Sequence, residues 1–430
     1  MSRMITGWPR LFFIALLMAA LPLRAQLFTL QHSFTNPPDG ANPLGLVLSS
    51  NMFYGATANG GSFSSGSLFK VGLNGANYNN FYSFNSATDG SSPNDLLVKS
   101  NLIYGTTQNG GTNGYGTIFS VTTNGGAFTL LRTFGAAPDA AYPRGGLVLS
   151  GTTLYGTTTG GGTNGNGTIF KIGTDGSGFT ILHSFTNSPD GASPHAGLWL
   201  DNATLYGTCY IGGAYGNGGV FKMGTNGANY SLIYSFSNYP DAQFSEASLI
   251  LYSNRLYGTS TSGGSSNYGA IFGLNTNGTG YSVLHSFTGP TFALTNSNGS
   301  TPSAGLTAGN GVLFGNSTGG GPGNKGTIFK INPDGTGFAV IRALLDTATG
   351  VNPRAPMILQ SNALWGTTYT GGSDNRGAIF SLQLNPVIST QPQSATVTNG
   401  FPVSLSVVAT NDSGLNYQWF FNTNSALSDQ

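Results

Sequence analysis

The apolar and polar positions of this chain repeat with a period near 50 residues. An aromatic residue followed by Gly recurs at Tyr54, Tyr104, Tyr155, Tyr206, Tyr257, Phe314 and Trp365. A Gly pair begins six residues after each aromatic residue, and a Phe stands fifteen residues after it. Successive copies lie 50, 51, 51, 51, 57 and 51 residues apart. A period of this length indicates a tandem-repeat architecture.

Each repeat contains four short segments with the alternation typical of β-strands, as the unit from Phe179 to Phe221 shows. Asn-Gly or Asp-Gly marks a tight hairpin in six units, at Asn74, Asn124, Asp175, Asn226, Asn277 and Asp334. Four strands in about 50 residues predict an all-β fold, a seven-bladed β-propeller with kelch-like four-stranded blades. A β-helix is the alternative, although its rungs are usually shorter. A helical solenoid is disfavoured because no segment has a 3.6-residue period.

The two ends of the repeat array complement each other. Residues 28–34 resemble the fourth strand of a unit, whereas residues 357–384 supply three strands and lack a fourth. We therefore expect the N-terminal strand to close the seventh blade beside the strand of Phe380, which would remove the exposed sheet edges. The predicted propeller spans residues 26–385.

The N-terminal 25 residues are typical of a secretory signal peptide. Arg3 and Arg10 supply positive charge, residues 11–21 are apolar, and Ala25 offers a cleavage site. A membrane anchor is the alternative. We expect the protein to be secreted or attached to the cell surface, without membrane insertion after the signal is cleaved.

The composition changes after residue 385. Alternating Val403, Leu405 and Val407, followed by Trp419, resemble the first half of an immunoglobulin-like domain. Such a domain needs about 100 residues. We therefore expect residues 386–430 to be an incomplete, truncated immunoglobulin-like domain.

Charged residues are scarce. They make up 7% of the chain, and the net charge is +1. This balance lacks the basic surface that nucleic-acid binding requires, so no nucleic-acid partner is expected. The single cysteine, Cys209, stands where other units carry Thr, and we expect a half-buried structural residue.

The motifs Leu-Tyr-Gly-Thr-Thr, Gly-Gly, Gly-Thr-Ile-Phe-Lys, Leu-His-Ser-Phe and Asp-Gly are most complete over residues 151–195. Together they resemble the GloVer tandem repeat of the choice-of-anchor secreted bacterial repeat proteins. The resemblance covers residues 27–384. It implies an exported bacterial protein, often followed by a surface-sorting segment, and it brings no activity or catalytic residue.

One acid recurs in the loop that follows the fourth strand. The positions are Asp39, Asp89, Asp139, Asp190 and Asp241, with Asn298 as a stand-in in the sixth unit. A ring of carboxylates on one face is a candidate Ca²⁺ site. Alternatively, each Asp shapes its own turn. No other cofactor and no catalytic residue is predicted.

The remaining candidates lie on long loops. His32, His183 and His285 share one repeat position and are expected to be structural, whereas His195 stands alone. The aromatic residues of the aromatic-Gly pairs are expected between blades. The loop at residues 288–301 carries a six-residue insertion and contains Phe292 and Asn298. Since binding residues concentrate on long loops, Phe292, Asn298 and His195 are the predicted ligand face.

Two functions remain open. The first is a secreted or cell-surface, non-enzymatic binding or display scaffold, monomeric, for an extracellular glycan or protein. The second is an extracellular propeller enzyme, a lyase or glycosidase acting on a polysaccharide. An enzyme would require an asymmetric cluster of acids, His or Tyr in two or three blades. The near-uniform repetition favours the first, and the fold alone decides neither.

Overall fold

The protein is described by a computed structural model that covers residues 27–35, 37–289, 298–345, 347–384, 388–390 and 408–409. The chain divides into two compact units. One is Phe28–Asn385, and the other comprises Met1–Leu27 and Pro386–Gln430.

The described part of Phe28–Asn385 folds into seven antiparallel sheets, which are the blades of a propeller. Six have four strands, and in the other the innermost of the four strands is divided into two pieces. We number the blades 1 to 7 and label their strands a to d, from the strand nearest the axis outward. The strands of blade 1 are Gly40–Ser49, Met52–Gly60, Ser67–Gly72 and Asn79–Ser83. Those of blade 2 are Ser91–Pro93 with Leu97–Lys99, Leu102–Asn109, Thr117–Thr122 and Thr129–Thr133. Those of blade 3 are Val148–Ser150, Thr153–Thr158, Thr168–Gly173 and Thr180–Ser184. The predicted all-β propeller with seven four-stranded blades is confirmed.

Blades 4 to 6 repeat the same arrangement. The strands of blade 4 are Trp199–Asp201, Thr204–Cys209, Gly219–Gly224 and Ser231–Ser235. Those of blade 5 are Ile250–Tyr252, Arg255–Ser260, Ala270–Asn275 and Ser282–Ser286. Those of blade 6 are Thr307–Gly309, Val312–Ser317, Thr327–Ile331 and Ala339–Ala343. Two short two-stranded pairs join Ala140–Ala141 to Gly160–Gly161, and Ala242–Gln243 to Ser262–Gly263. One 3₁₀ turn, Pro322–Asn324, lies between strands b and c of blade 6.

Blade 7 combines both ends of the repeat array. Its strands a to c are Ile358–Gln360, Ala363–Thr368 and Ala378–Gln383. The strand Phe28–Ser33 pairs antiparallel with strand c, with Phe28 opposite Leu382 and Ser33 opposite Ala378.

Of the second unit, the structure describes two short antiparallel strands, Ile388–Thr390 and Val408–Ala409. The predicted signal peptide and most of the predicted immunoglobulin-like segment, including Trp419, lie outside the described residues. No helix in the described part of the chain is long and apolar enough to cross a membrane.

The fifteen-residue spacing between the aromatic-Gly pair and the Phe has a steric cause. Gly156 of strand b lies directly opposite Phe170 of strand c. A Cβ atom on Gly156 would come within 2.6 Å of the Phe170 ring, and the equivalent distance between Gly207 and Phe221 is 2.4 Å. Gly is therefore required because the neighbouring Phe ring occupies the space above it.

The core lies between the blades. Each of the seven described apolar clusters combines side chains of two neighbouring blades, as Tyr155 and Phe185 of blade 3 do with Leu205 and Phe221 of blade 4. The aromatic residue of each aromatic-Gly pair is buried in such a cluster, which confirms its predicted place between blades. Adjacent sheets are thus held together mainly by apolar burial.

Cys209 is completely buried rather than half-buried. It ends strand b of blade 4 and is opposite Gly219. Burial raises the pKa of its thiol well above the ordinary value. A buried, protonated thiol is a poor nucleophile, which agrees with a structural role.

Candidate functional site

The recurring acids each bind groups of their own blade. The Asp190 carboxylate accepts hydrogen bonds from His183 Nε2 (3.0 Å) and from the backbone N–H of Thr186 (2.9 Å). The same contact joins His32 to Asp39, Tyr82 to Asp89, Arg132 to Asp139, Tyr234 to Asp241 and His285 to Asn298. The acid thus fixes the turn between strand d and the next blade.

The side chain that bonds each acid also stacks on an aromatic ring of the next blade. His183 lies 3.7 Å from the Tyr230 ring, with the planes 10° apart. Equivalent stacks are His32–Tyr78, Tyr82–Phe128, Tyr234–Tyr281 and His285–Phe338, while Arg132 and Arg342 lie over Phe179 and Phe28. We call these stacked pairs with their acids the outer clamp ring.

This arrangement satisfies the carboxylates locally. Among the described residues, no three His, Cys, Asp or Glu side chains are grouped so as to hold a metal ion. The acids lie one to a blade rather than together. Calcium binding by Asp39, Asp89, Asp139, Asp190 and Asp241 stays a prediction, and the observed bonds are those of turn-forming residues.

A second ring surrounds the axis. In each blade, the residue two positions before the one that faces the centre has a left-handed backbone. The left-handed residues are Asn42, Ser92, Tyr142, Ser193, Phe244, Thr301 and Asn352. Positive φ is unusual for bulky residues such as Tyr142 (59°) and Phe244 (56°). In blade 1 the strand pairing shifts register between Pro43 and Leu46, which is a bulge. Bulges re-aim side chains, here towards the axis.

The residues that follow these left-handed positions differ from blade to blade. They are Leu44, Asn94, Arg144, His195, Glu246, Ser303 and Arg354, which we call the inner ring. Their backbone is anchored by the neighbouring blade. Thr157 Oγ1 donates to the Ala196 carbonyl (2.9 Å), and Thr259 Oγ1 donates to the Ala304 carbonyl (2.8 Å). The first Thr of the Tyr-Gly-Thr motif therefore supports the loop beside the inner ring.

All seven inner-ring residues line one central cavity of about 520 Å³. Asn59, Gln108 and Tyr369, from the ends of strands b, line the same cavity. Asp95 lies beside the inner ring and accepts a hydrogen bond from the Gly45 backbone N–H (3.2 Å). Asp95 is partly buried, and the burial raises the pKa of its carboxyl. The cavity therefore combines amides, hydroxyls, a tyrosine and both signs of charge.

Three inner-ring residues of consecutive blades contact each other. Arg144 Nη1 lies 2.9 Å from His195 Nδ1, and Glu246 Oε1 lies 3.5 Å from the same nitrogen. The Arg144 Nη2 to Glu246 Oε1 distance is 3.8 Å. Burial lowers the pKa of His195, the Glu246 carboxylate opposes this shift, and the Arg144 charge adds to it. Tyr210 stacks on the His195 ring at 4.2 Å.

The same histidine also contacts Ser193, whose Oγ lies 3.3 Å from His195 Nε2. Ser193, His195 and Glu246 therefore superficially match a hydrolase triad. Arg144 changes the chemistry, because a guanidinium only donates hydrogen bonds, so His195 Nδ1 must accept. The proton then lies on Nε2, facing Ser193, whereas a general base needs an unprotonated Nε2. This arrangement does not activate Ser193.

Arg354 differs from Arg144. Its guanidinium lies 4.2 Å from the centre of the Tyr369 ring, and its Nε donates to Asn352 Oδ1 (3.3 Å). No carboxylate of the described residues lies within 4.0 Å of it. Arg354 is thus a cation at the cavity wall without an acidic protein partner in the described part of the chain.

The structure separates the predicted ligand-face residues. His195 lies in the cavity, Asn298 belongs to the outer clamp ring, and Phe292 lies outside the described residues. Sequence reasoning missed Arg144, Glu246 and Arg354. A signal was present, because a Pro recurs at this place in six of the seven units while the residue directly after it changes in nearly every unit.

Known proteins give the repeat its family. The family model described as the Gloeobacter/Verrucomicrobia repeat matches residues 20–210, 99–295 and 290–417. The chain belongs to this repeat family. The GloVer resemblance of the sequence is thereby confirmed. Comparison with curated protein sequences gives no match.

Several solved structures show partial similarity to this chain. Oligogalacturonate lyase from Vibrio parahaemolyticus is 8% identical, with a TM-score of 0.49, over 85% of this chain and 99% of that one. The designed Ika8 protein is 13% identical (TM-score 0.44; 81% and 99%), and TolB from Acinetobacter baumannii is 11% identical (0.39; 69% and 63%). None shares enough sequence with this chain to transfer a function.

Proposed function

We propose that this member of the repeat family is an exported, non-enzymatic binding protein whose ligand, a carbohydrate, occupies the central cavity. The inner ring is the observation that carries the proposal. Its seven positions share a backbone conformation but hold Leu, Asn, Arg, His, Glu, Ser and Arg. Positions that serve only packing repeat in this chain, whereas these do not.

The chemistry of the cavity suits a sugar. Its volume of about 520 Å³ falls within the range of small-ligand sites, about 300–1,000 Å³. Asn59 and Gln108 offer amide groups, and Tyr369 offers a ring for stacking. Asn94 Nδ2 is already engaged by Thr106 Oγ1 and the Pro143 carbonyl. Sugars present hydroxyl groups around an apolar ring face, so amides and an aromatic ring complement them.

A blocked cavity tests this proposal. Full-length protein is applied to a glycan array, and bound glycans are confirmed by calorimetry. Ala58, in the cavity wall, is then replaced by Trp, with Ala203→Trp on an exposed turn of blade 4 as the matched control. We expect Ala58→Trp to abolish binding and Ala203→Trp to preserve it. Normal binding by a correctly folded Ala58→Trp protein would refute the cavity as the binding site.

One observation favours the enzymatic alternative, a lyase or glycosidase acting on a polysaccharide. Arg144, His195 and Glu246 form an asymmetric cluster in blades 3 to 5, which is the feature an enzyme requires. The Arg144–His195 hydrogen bond opposes it for the reason given above. Incubation with polysaccharides that the array identifies, followed by measurement of new reducing ends or unsaturated products, separates the two. Products that disappear in a Glu246→Gln variant would establish catalysis.

Export and monomeric display belong to the same proposal. The apolar segment at residues 11–21 behind two arginines supports secretion through a signal peptide. Cell fractionation of the full chain and of a chain lacking residues 2–25 tests it. We expect the full chain outside the cytoplasm and the shortened chain inside. Equal retention of both would contradict the proposal, and sedimentation of the exported protein tests the monomer.

A further inference from the structure

The two arginines of the cavity are compensated differently. Arg144 lies 2.9 Å from His195 Nδ1 and 3.8 Å from the Glu246 carboxylate. Arg354 has no acid within 4.0 Å among the described residues. Its charge acts on Glu246 from a greater distance and helps to lower the pKa of that carboxyl. The side of the cavity formed by blade 7 therefore presents the less neutralised cation.

The local contacts orient Arg354. Its Nε donates to Asn352 Oδ1, and its plane is supported by Tyr369, whose backbone carbonyl accepts a hydrogen bond from Asn42 Nδ2 (2.8 Å). With Nε engaged, the terminal Nη1 and Nη2 groups are the donors left for a ligand. Two parallel N–H donors match the two oxygens of a carboxylate.

Other cavity groups specify more than a bare anion. Asn59 lies between Arg354 and blade 2, and its Nδ2 donates to Asn42 Oδ1 (3.1 Å). Gln108 follows in blade 2. Amides beside an arginine and a tyrosine ring suit a molecule that carries hydroxyl groups as well as a negative charge.

Asp95 is the acid that opposes an anionic ligand in this half of the cavity. Its carboxyl is held by the Gly45 N–H and lines the cavity. Burial raises its pKa, so its negative charge is lost at a higher pH than that of an ordinary aspartate.

We propose that the ligand of the central cavity is an oligosaccharide that bears a carboxylate, and that Arg354 binds this carboxylate with both terminal nitrogens beside the Tyr369 ring. This inference rests on the proposed function. It adds the ligand class and the residue that selects it.

The test uses full-length protein and three matched oligosaccharides of equal length and linkage. One contains hexuronic acid, one the corresponding neutral hexose, and one a sulfated hexose. Affinities are measured by calorimetry for the natural protein, Arg354→Gln, Arg354→Lys and Arg376→Gln. Arg376 lies on a loop of blade 7 outside the cavity lining, and Arg376→Gln is the control because it removes the same charge there.

We expect the uronic-acid ligand to bind about ten- to a hundredfold more tightly than the neutral one. Arg354→Gln should abolish this preference, Arg354→Lys should restore part of it, and Arg376→Gln should leave it intact. Added salt should weaken only the acidic ligand.

The contrary outcomes are distinguishable. Equal binding of neutral and acidic ligands, unaffected by Arg354→Gln, would overturn the inference and leave the proposed function standing. Equal binding of the sulfated ligand through Arg354 would overturn the carboxylate assignment. Failure of all oligosaccharides, on the array and in calorimetry, would overturn the proposed function itself. Unfolding temperatures of the variants identify any loss that comes from misfolding.

Discussion

The outer clamp ring and the inner ring use the same repeat in opposite ways. In the outer ring the residues change while the contact persists: His183 on Tyr230, Tyr82 on Phe128 and Arg132 on Phe179 are all stacked pairs bonded to an acid. In the inner ring every blade repeats the same backbone conformation, whereas the side chains have different partners from one blade to the next. Substitution that preserves an interaction marks structure, and substitution that replaces one interaction with another marks a specialised site.

The physical reason lies in what surrounds each ring. The outer clamp ring joins two blades, and a planar group that can donate a hydrogen bond fulfils its role whether it is imidazole, phenol or guanidinium. The inner ring borders a cavity, and its side chains have no common partner: Asn94 is buried and bonds Thr106, whereas Arg354 is exposed. The following predictions test this contrast, from the largest expected effect to the smallest.

The largest effect is expected from deleting the strand Phe28–Ser33. The deletion leaves strand c of blade 7 without its neighbour and removes the Phe28 ring under Arg342. We expect the unfolding temperature to fall by on the order of 10 °C or more. Deletion of residues 386–430 is the control and should cost less. A larger loss from the control deletion, measured by calorimetry, would show that blade 7 does not depend on this pairing.

A smaller but clear loss is expected for Asp190→Ala in the outer clamp ring. The change leaves His183 and the Thr186 N–H without their acceptor, at a cost of about 1–3 kcal/mol in the free energy of unfolding. Arg354→Gln in the inner ring should change this free energy by less than about 0.5 kcal/mol, because the side chain is exposed. Urea denaturation measures both, and equal losses would remove the distinction between the rings.

Asp95→Asn is expected to stabilise the protein in a pH-dependent manner. Because the folded-state pKa of Asp95 is raised, the folded protein retains this proton longer than the unfolded chain. Wild-type stability therefore falls as the pH rises from about 4 through the raised pKa. Asparagine still accepts from the Gly45 N–H but has no charge to bury. The unfolding temperature of the Asp95→Asn variant should exceed that of the wild type by more at pH 8 than at pH 4.

The exposed Asp374→Asn variant is the control for this experiment, and it should show no such difference. A gain of the Asp95→Asn protein that does not vary with pH would contradict burial as the cause.

The smallest effect is expected from calcium. The outer-ring carboxylates already accept hydrogen bonds from side chains and backbone. We expect millimolar Ca²⁺ or its chelation to move the unfolding temperature by less than about 1 °C. A larger, saturable increase that Asp190→Ala and Asp241→Ala reduce would instead establish the calcium site suggested by the sequence.

The sequence by itself determined the blades. The aromatic-Gly and Phe positions set the strand pairing, because Gly156 must lie opposite the Phe170 ring, and such local steric rules leave a direct mark on residue spacing. The number of blades followed from counting these spacings. For the recurring Asp residues the sequence allowed two interpretations, turn formation and Ca²⁺ binding.

Only the tertiary structure decided where the chemistry lies. Arg144, His195 and Glu246 are separated by 51 residues each along the chain, and they meet because the propeller brings equivalent loop segments of consecutive blades to one axis. A residue pattern reports the contacts that every repeat must make. It does not report which variable positions become neighbours, since that depends on the curvature and closure of the whole ring.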